Sequence, residues 1–154
     1  MNKYENLMIA YDDLLINDSN ALPENYEGFY SDGAVLVDKF LTKTRKLEIL
    51  SEEIAHHLVT YGDIRDQKVL MNRKYELKAR RLGCELLISL DDIIAAFHEG
   101  VHNLYEMSQY FDVSEEYVLN ALDHYQMKYG LKLFHKEYVI KFEPLQVFEY
   151  KTLE

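Results

Sequence analysis

Glu52-Glu53-Ile54-Ala55-His56-His57 brings together residue types that bind a metal ion and move a proton. In the pattern H-E-x-x-H, two ligands at i and i+4 share one helical face, and the glutamate beside the first acts as general base on the attacking water. Here Glu52 takes the first ligand position, Glu53 the base position and His56 the second ligand position. Carboxylate oxygen binds zinc at distances close to those of imidazole nitrogen, so the exchange of histidine for glutamate keeps a donor. The bland alternative is a solvated acidic helix face. A third ligand must come from another element: Glu76, in Tyr75-Glu76-Leu77-Lys78-Ala79-Arg80, or Asp63 or Asp66 in the intervening polar stretch. Two carboxylates and a neutral imidazole suit Zn2+, and Mn2+ as a harder ion.

Downstream, His98-Glu99-Gly100-Val101-His102 spells H-E-x-x-H in full. Its histidines share a metal only if one helix runs unbroken between them. The Ile93, Ile94, Phe97 stripe stops at Gly100, and Asn103 reads as the N-cap of a new helix, so the imidazoles are expected to point apart.

The elements that position these residues follow from periodicity. Leu7, Met8, Tyr11, Leu14 and Leu15 predict a first helix over 3–16, ended by Asn17-Asp18-Ser19-Asn20. Gly28-Phe29-Tyr30, Ser31-Asp32-Gly33 and Ala34 to Asp38 predict a β-hairpin, because Asp-Gly between strand formers is a tight-turn signal. A helix over 42–61 carries the cluster, with Thr42 or Thr44 as cap and Leu47, Leu50, Ile54 and Leu58 as its apolar stripe. A basic helix follows from about Asn72 to Leu87, where Ala79 permits a close neighbour. Ser89 caps a helix over 91–99; helices at 103–111 and 115–128 come next, the last ending at Gly130. The tail from Leu133 to Tyr150 predicts two short strands or extended arms around Pro144. The expected fold class is α+β, mostly helical and zincin-like. A core over 1–88 is expected to carry a helical pair and tail, 89–154, packed on it as one compact unit.

Composition sets outer bounds. An apolar fraction of 48% supports a core, and a net charge of −10 argues against general affinity for nucleic acid. The N-terminal Met1-Asn2-Lys3-Tyr4-Glu5 is polar and no apolar run approaches the ~18 residues of a membrane span, so neither a signal peptide nor membrane attachment is expected. The single cysteine, Cys84, reads as a small core residue in a reducing cytoplasm. The pair at 103–129 has the outline of a helix-turn-helix. Its second helix offers Glu115, Glu116 and Asp123 against Lys128, where a groove reader presents cations and amides. It is expected to pack on the core or grip a protein.

In order and spacing these residues resemble the ImmA/IrrE family of metallopeptidases over nearly the whole chain. The resemblance rests on Leu22-Pro23 to Gly28-Phe29-Tyr30, the Asp-Gly hairpin, Leu50-Ser51-Glu52-Glu53-Ile54-Ala55-His56, Glu76 with Ala79 and Leu86-Leu87-Ile88, and Leu104-Tyr105-Glu106-Met107 to Phe111-Asp112-Val113-Ser114. It implies that Glu53 is the base and that His56 and Glu76 are ligands. Glu52 stands where most members have histidine, which looks closest to a phage- and prophage-like branch with a Glu-Glu-x-x-His-His helix. His57, about 100° around the helix from His56, would orient the ligands or steady the oxyanion. The activity implied is that of a cytoplasmic, zinc-type endopeptidase of a phage or prophage that cleaves a helix-turn-helix repressor. In it Glu53 takes a proton from water and returns it to the leaving nitrogen. The alternative is an anti-repressor that binds the repressor without cutting it.

Overall fold

The computed structural model describes residues 2–59, 69–142 and 144–149, leaving aside the side chains of 69–73 and 75. Their contacts divide the chain into two compact units, Met1–Leu87 and Ile88–Glu154. The class is α+β, with six helices and two three-stranded sheets among the described residues. None of these helices is long and apolar enough to cross a membrane.

In the first unit, helix α1 (Lys3–Ala10) starts at Asn2, whose side chain accepts the Glu5 N–H. The helix stops well short of residue 16. Leu15–Ser19 is instead strand β1, paired in parallel with β3 (Ala34–Asp38), while β2 (Gly28–Ser31) pairs antiparallel on the other side of β3. The spacing of Leu14 and Leu15 fits a helix, but the two point opposite ways: Leu14 is buried and Leu15 is 70% exposed. Pairing with a strand nearly twenty residues away overrides that local period, and no window of sequence contains both partners. The β2–β3 hairpin forms as expected. Asp32 and Gly33 both take positive φ, 45° and 81°, as a two-residue turn of matching twist requires.

Helix α2 (Lys43–Val59) lies against β2 and β3, and α3 (Val69–Leu87) lies against α2. Thr42 caps α2, its Oγ1 accepting the Arg45 N–H. The expected stripe fails at its end, since Leu58 is 42% exposed. Glu48, Ile49, Ser51 and Ala55 are buried with Leu47, Leu50 and Ile54, so α2 is covered by both sheet and helix. Arg45 grips Glu27 through two hydrogen bonds of 2.8 Å, tying the start of α2 to the segment that enters β2. At the other end of the unit, Lys3 Nζ donates to the Leu87 carbonyl in the last turn of α3.

The second unit begins with α4 (Leu90–His98), opened by a capping box between Ser89 and Asp92. Helices α5 (Leu104–Phe111) and α6 (Glu115–Tyr129) follow, capped by Asn103 and Ser114. The tail differs from expectation in holding three strands: β4 (Lys132–His135), β5 (Tyr138–Phe142) and β6 (Leu145–Glu149), antiparallel in that order. The extra turn lies at Lys136, which takes φ 54° with no glycine or asparagine to advertise it. Tyr125 of α6 stacks on Phe142 and donates its hydroxyl to the Ile88 carbonyl, joining helix, sheet and the unit's first residue.

Gly28 is the tightest point of the first unit, because a Cβ there would run into Ile49 Cγ2 and press on Glu53. Gly28→Ala is expected to lower stability by about 1–3 kcal/mol through overpacking, with a fall in the urea midpoint at unchanged m. An unchanged midpoint would show that β2 does not bear on α2 there.

Candidate metal centre

Two successive i,i+4 pairs on α2 face two different neighbours. Glu52 and His56 face α3; Glu53 and His57 face β2. Small residues set both approaches. On α3, Ala79 is fully buried, and a Cβ added at Gly83 would meet the Ser51–Glu52 backbone at 3.4 Å. With α3 this close, Glu76 Oε2 stands 3.2 Å from His56 Nε2. Donor atoms of Glu52, His56 and Glu76 all lie within 4.8 Å of one another, the one such group among the described residues.

The donor set fits a divalent ion. Two donors each ~2.1 Å from a tetrahedral ion lie about 3.4 Å apart, close to the His56–Glu76 separation. Glu76 is the open side of the group, with 58% of its side chain exposed, against 15% for His56 and 24% for Glu52. Arg80, one turn beyond Glu76, holds its Nε 4.0 Å from Glu52 Oε1 and supplies some of the positive charge that the acids call for.

Glu53 lies beneath Gly28, whose missing Cβ leaves room for its carboxylate. Burial, reinforced by the charges of Glu52 and Glu76, pushes its carboxyl up to about 8. His57 is held on the same side of the helix: the Tyr30 hydroxyl lies 2.6 Å from its Nδ1, and Asp13 Oδ2 lies 3.9 Å from its Nε2. Tyr30 and Asp13 were not visible as partners in the sequence. The one available sign for Tyr30 was strand alternation, which puts it on the same face of β2 as Gly28. Gly83 was missed too, although it stands seven residues, two helical turns, after Glu76. Asp63 and Asp66 lie outside the described residues.

The complete H-E-x-x-H sequence is split as its glycine suggests. Helix α4 ends at His98, Gly100 takes φ 81°, and Asn103 begins α5. His98 Nε2 pairs with the Tyr138 hydroxyl at 2.7 Å, while the His102 ring packs edge-on against Phe97.

Residues 5–123 match the family model Peptidase_M78, described as the IrrE N-terminal-like domain. No curated protein matches the chain. Among solved structures, a Mycobacterium tuberculosis transcriptional regulator is similar over 77% of this chain and 39% of that one, with 15% identity and a TM-score of 0.58. At that identity the likeness is one of fold, and this chain spans about two fifths of the regulator's length.

The raised Glu53 pKa has a definite sign for stability. Below its usual 4.5 the group is neutral whether folded or not. Between 4.5 and about 8 it ionises freely only in the unfolded chain, so folding stability of the metal-free protein falls as pH rises through that window. A tenfold change in proton affinity is worth ~1.4 kcal/mol, so the whole fall is on the order of 5 kcal/mol. Glu53→Gln should flatten the slope in urea titrations run from pH 5 to 9. An equal slope in both proteins would place the titrating group elsewhere.

Proposed function

The chain belongs to the family of IrrE N-terminal-like peptidases, and from that membership we propose that it is a metal-dependent endopeptidase of a phage or prophage. In this reading it works in the cytoplasm and cleaves a helix-turn-helix repressor, which switches on the genes the repressor silences. The observation that carries the reading is the gathering of donor atoms of Glu52, His56 and Glu76 within 4.8 Å of one another, with Glu53 next to the first of them on the same helix.

Glu52, His56 and Glu76 hold the ion, Zn2+ or Mn2+. When bound, it supplies countercharge to the carboxylates and Lewis acidity toward a peptide carbonyl and the attacking water. Glu53 accepts the water's proton at its carboxylate and delivers it to the leaving nitrogen, a task that favours an acid whose pKa lies near the working pH. Gly28 lets strand β2 pack directly against Glu53 and so helps to fix its carboxylate. His57, braced by Tyr30 and Asp13, steadies the wall of the site beside His56. No contact with nucleic acid is needed, and the exposed acids of α6, Glu115, Glu116 and Asp123, would repel phosphates.

A second reading keeps the partner and drops the chemistry: an anti-repressor that sequesters the repressor. It is favoured by Arg80 beside Glu52, a protein cation where a metalloenzyme has only the metal.

Metal analysis of protein purified with Zn2+ or Mn2+ separates the two. The peptidase reading expects one ion per chain, lost in Glu52→Gln, His56→Ala and Glu76→Gln and kept in Glu53→Gln and His98→Ala. Incubated with candidate helix-turn-helix repressors of the same genome, wild type should cut one of them into two fragments on mass spectrometry, and Glu53→Gln should cut it at least about 100-fold more slowly. Metal-free wild type that still binds the repressor supports sequestration; full cleavage by Glu53→Gln refutes the assigned base.

A further inference from the structure

The second unit carries a cleft of about 290 Å³ that plays no part in the metal centre. Helix α4 and the turn after it contribute Phe97 and Val101, α5 contributes Met107, and β6 contributes the four consecutive residues Leu145 to Phe148. Side chains alternate faces along a strand, so four in a row line one cleft only if it runs along the strand's edge. β6 is the outermost strand of its sheet, pairing with β5 alone among the described residues. A sheet edge bordered by apolar side chains is the arrangement that takes up an extended peptide as an added strand.

Charge indicates which peptide. Residues 88–154 hold twelve acidic side chains against five basic ones. Asp92, Glu99, Glu106 and Glu149 lie within two positions of lining residues, and Lys141, across the sheet from Gln146, is the basic residue among these neighbours. Burial, with the charges of Glu99 and Asp92 behind it, raises the Tyr110 phenol. Around the rim Phe97 is 38% and Phe148 53% exposed, large apolar surfaces left accessible in an acidic surround.

We propose that this cleft captures an extended, basic segment of a partner protein as a fourth strand beside β6, its apolar side chains seated among Phe97, Val101, Met107 and Phe148. Proteins that bind nucleic acid carry such segments, so the surface suits the class of partner proposed above. It stands without that proposal, since it requires neither metal nor cleavage.

The test is fluorescence anisotropy with three labelled heptapeptides: Lys-Val-Lys-Phe-Lys-Val-Lys, its counterpart with Glu for Lys, and the Lys peptide N-methylated at alternate residues to block strand pairing. The Lys peptide should bind saturably in the micromolar range, more weakly as salt rises. The Glu and N-methylated peptides should bind at least about tenfold more weakly, a loss of ~1.4 kcal/mol. Phe148→Ala should weaken the Lys peptide by a similar factor. Glu99→Lys should weaken the Lys peptide and strengthen the Glu peptide, a reversal that misfolding cannot produce. No binding of the Lys peptide, equal binding of both charges, or indifference to N-methylation overturns the proposal. So does a dimer in sedimentation that Phe148→Ala dissolves, which would make a second copy of the chain the occupant.

Discussion

Three carboxylates gathered around one imidazole repel each other, and the first unit is built to hold them together regardless. Glu52, Glu53 and Glu76 gain nothing from one another in the absence of a cation, and the pKa of Glu53 is raised first by burial and then by the charges of the other two. What holds them is packing. Ile54 and Ala55, buried in the same stretch of α2, anchor it to its neighbours, and Ser51 satisfies its hydroxyl on the Glu48 carbonyl. The polar groups therefore sit on a helix whose position is set by apolar contacts on other faces. Unfavourable electrostatics concentrated in a well-packed frame is the usual mark of a site organised for a ligand, since a fold selected for stability alone would disperse the charge.

The frame works because small residues stand where the neighbours close on α2. Gly28 lets β2 lie over Glu53, and on α3 Gly83 and the fully buried Ala79 face α2 beside the turn that carries Glu76 to His56. These approaches divide the four functional side chains of one six-residue run between two neighbours. The pair Glu52 and His56 meets a helix, while Glu53 and His57 meet a strand. A helical step of about 100° between adjacent residues makes that division unavoidable once both neighbours are in place. Donor and base are thus adjacent in sequence and yet meet different neighbours.

The second unit follows another logic. Its core of Phe111, Val118, Tyr125 and Ile140 is fully apolar or internally satisfied, and its acids lie outside, where they are solvated. The two histidines of the complete H-E-x-x-H sequence are absorbed into ordinary structural contacts with Tyr138 and Phe97. A motif is a statement about a continuous helix, and one glycine at positive φ is enough to cancel it.

Whatever depends on a few neighbouring residues could be read from the sequence alone. The Asp32-Gly33 turn, the caps at Ser89 and Asn103, the break at Gly100 and the shared face of Glu52 and His56 are all local, because backbone sterics and side-chain hydrogen bonds act over one helical turn or less. Tertiary structure decided what depends on distant partners. It made a strand beside β3 of Leu15–Ser19, where the end of a helix and its stop signal were expected, split the tail into three strands, and exposed Leu58 while burying Ser51 and Ala55. It also brought Glu76 to His56, gave His57 to Tyr30 and Asp13, and raised Glu53 into the neutral range. Proton affinity at Glu53 is set by burial and by charges on two helices, and only the folded chain brings those together.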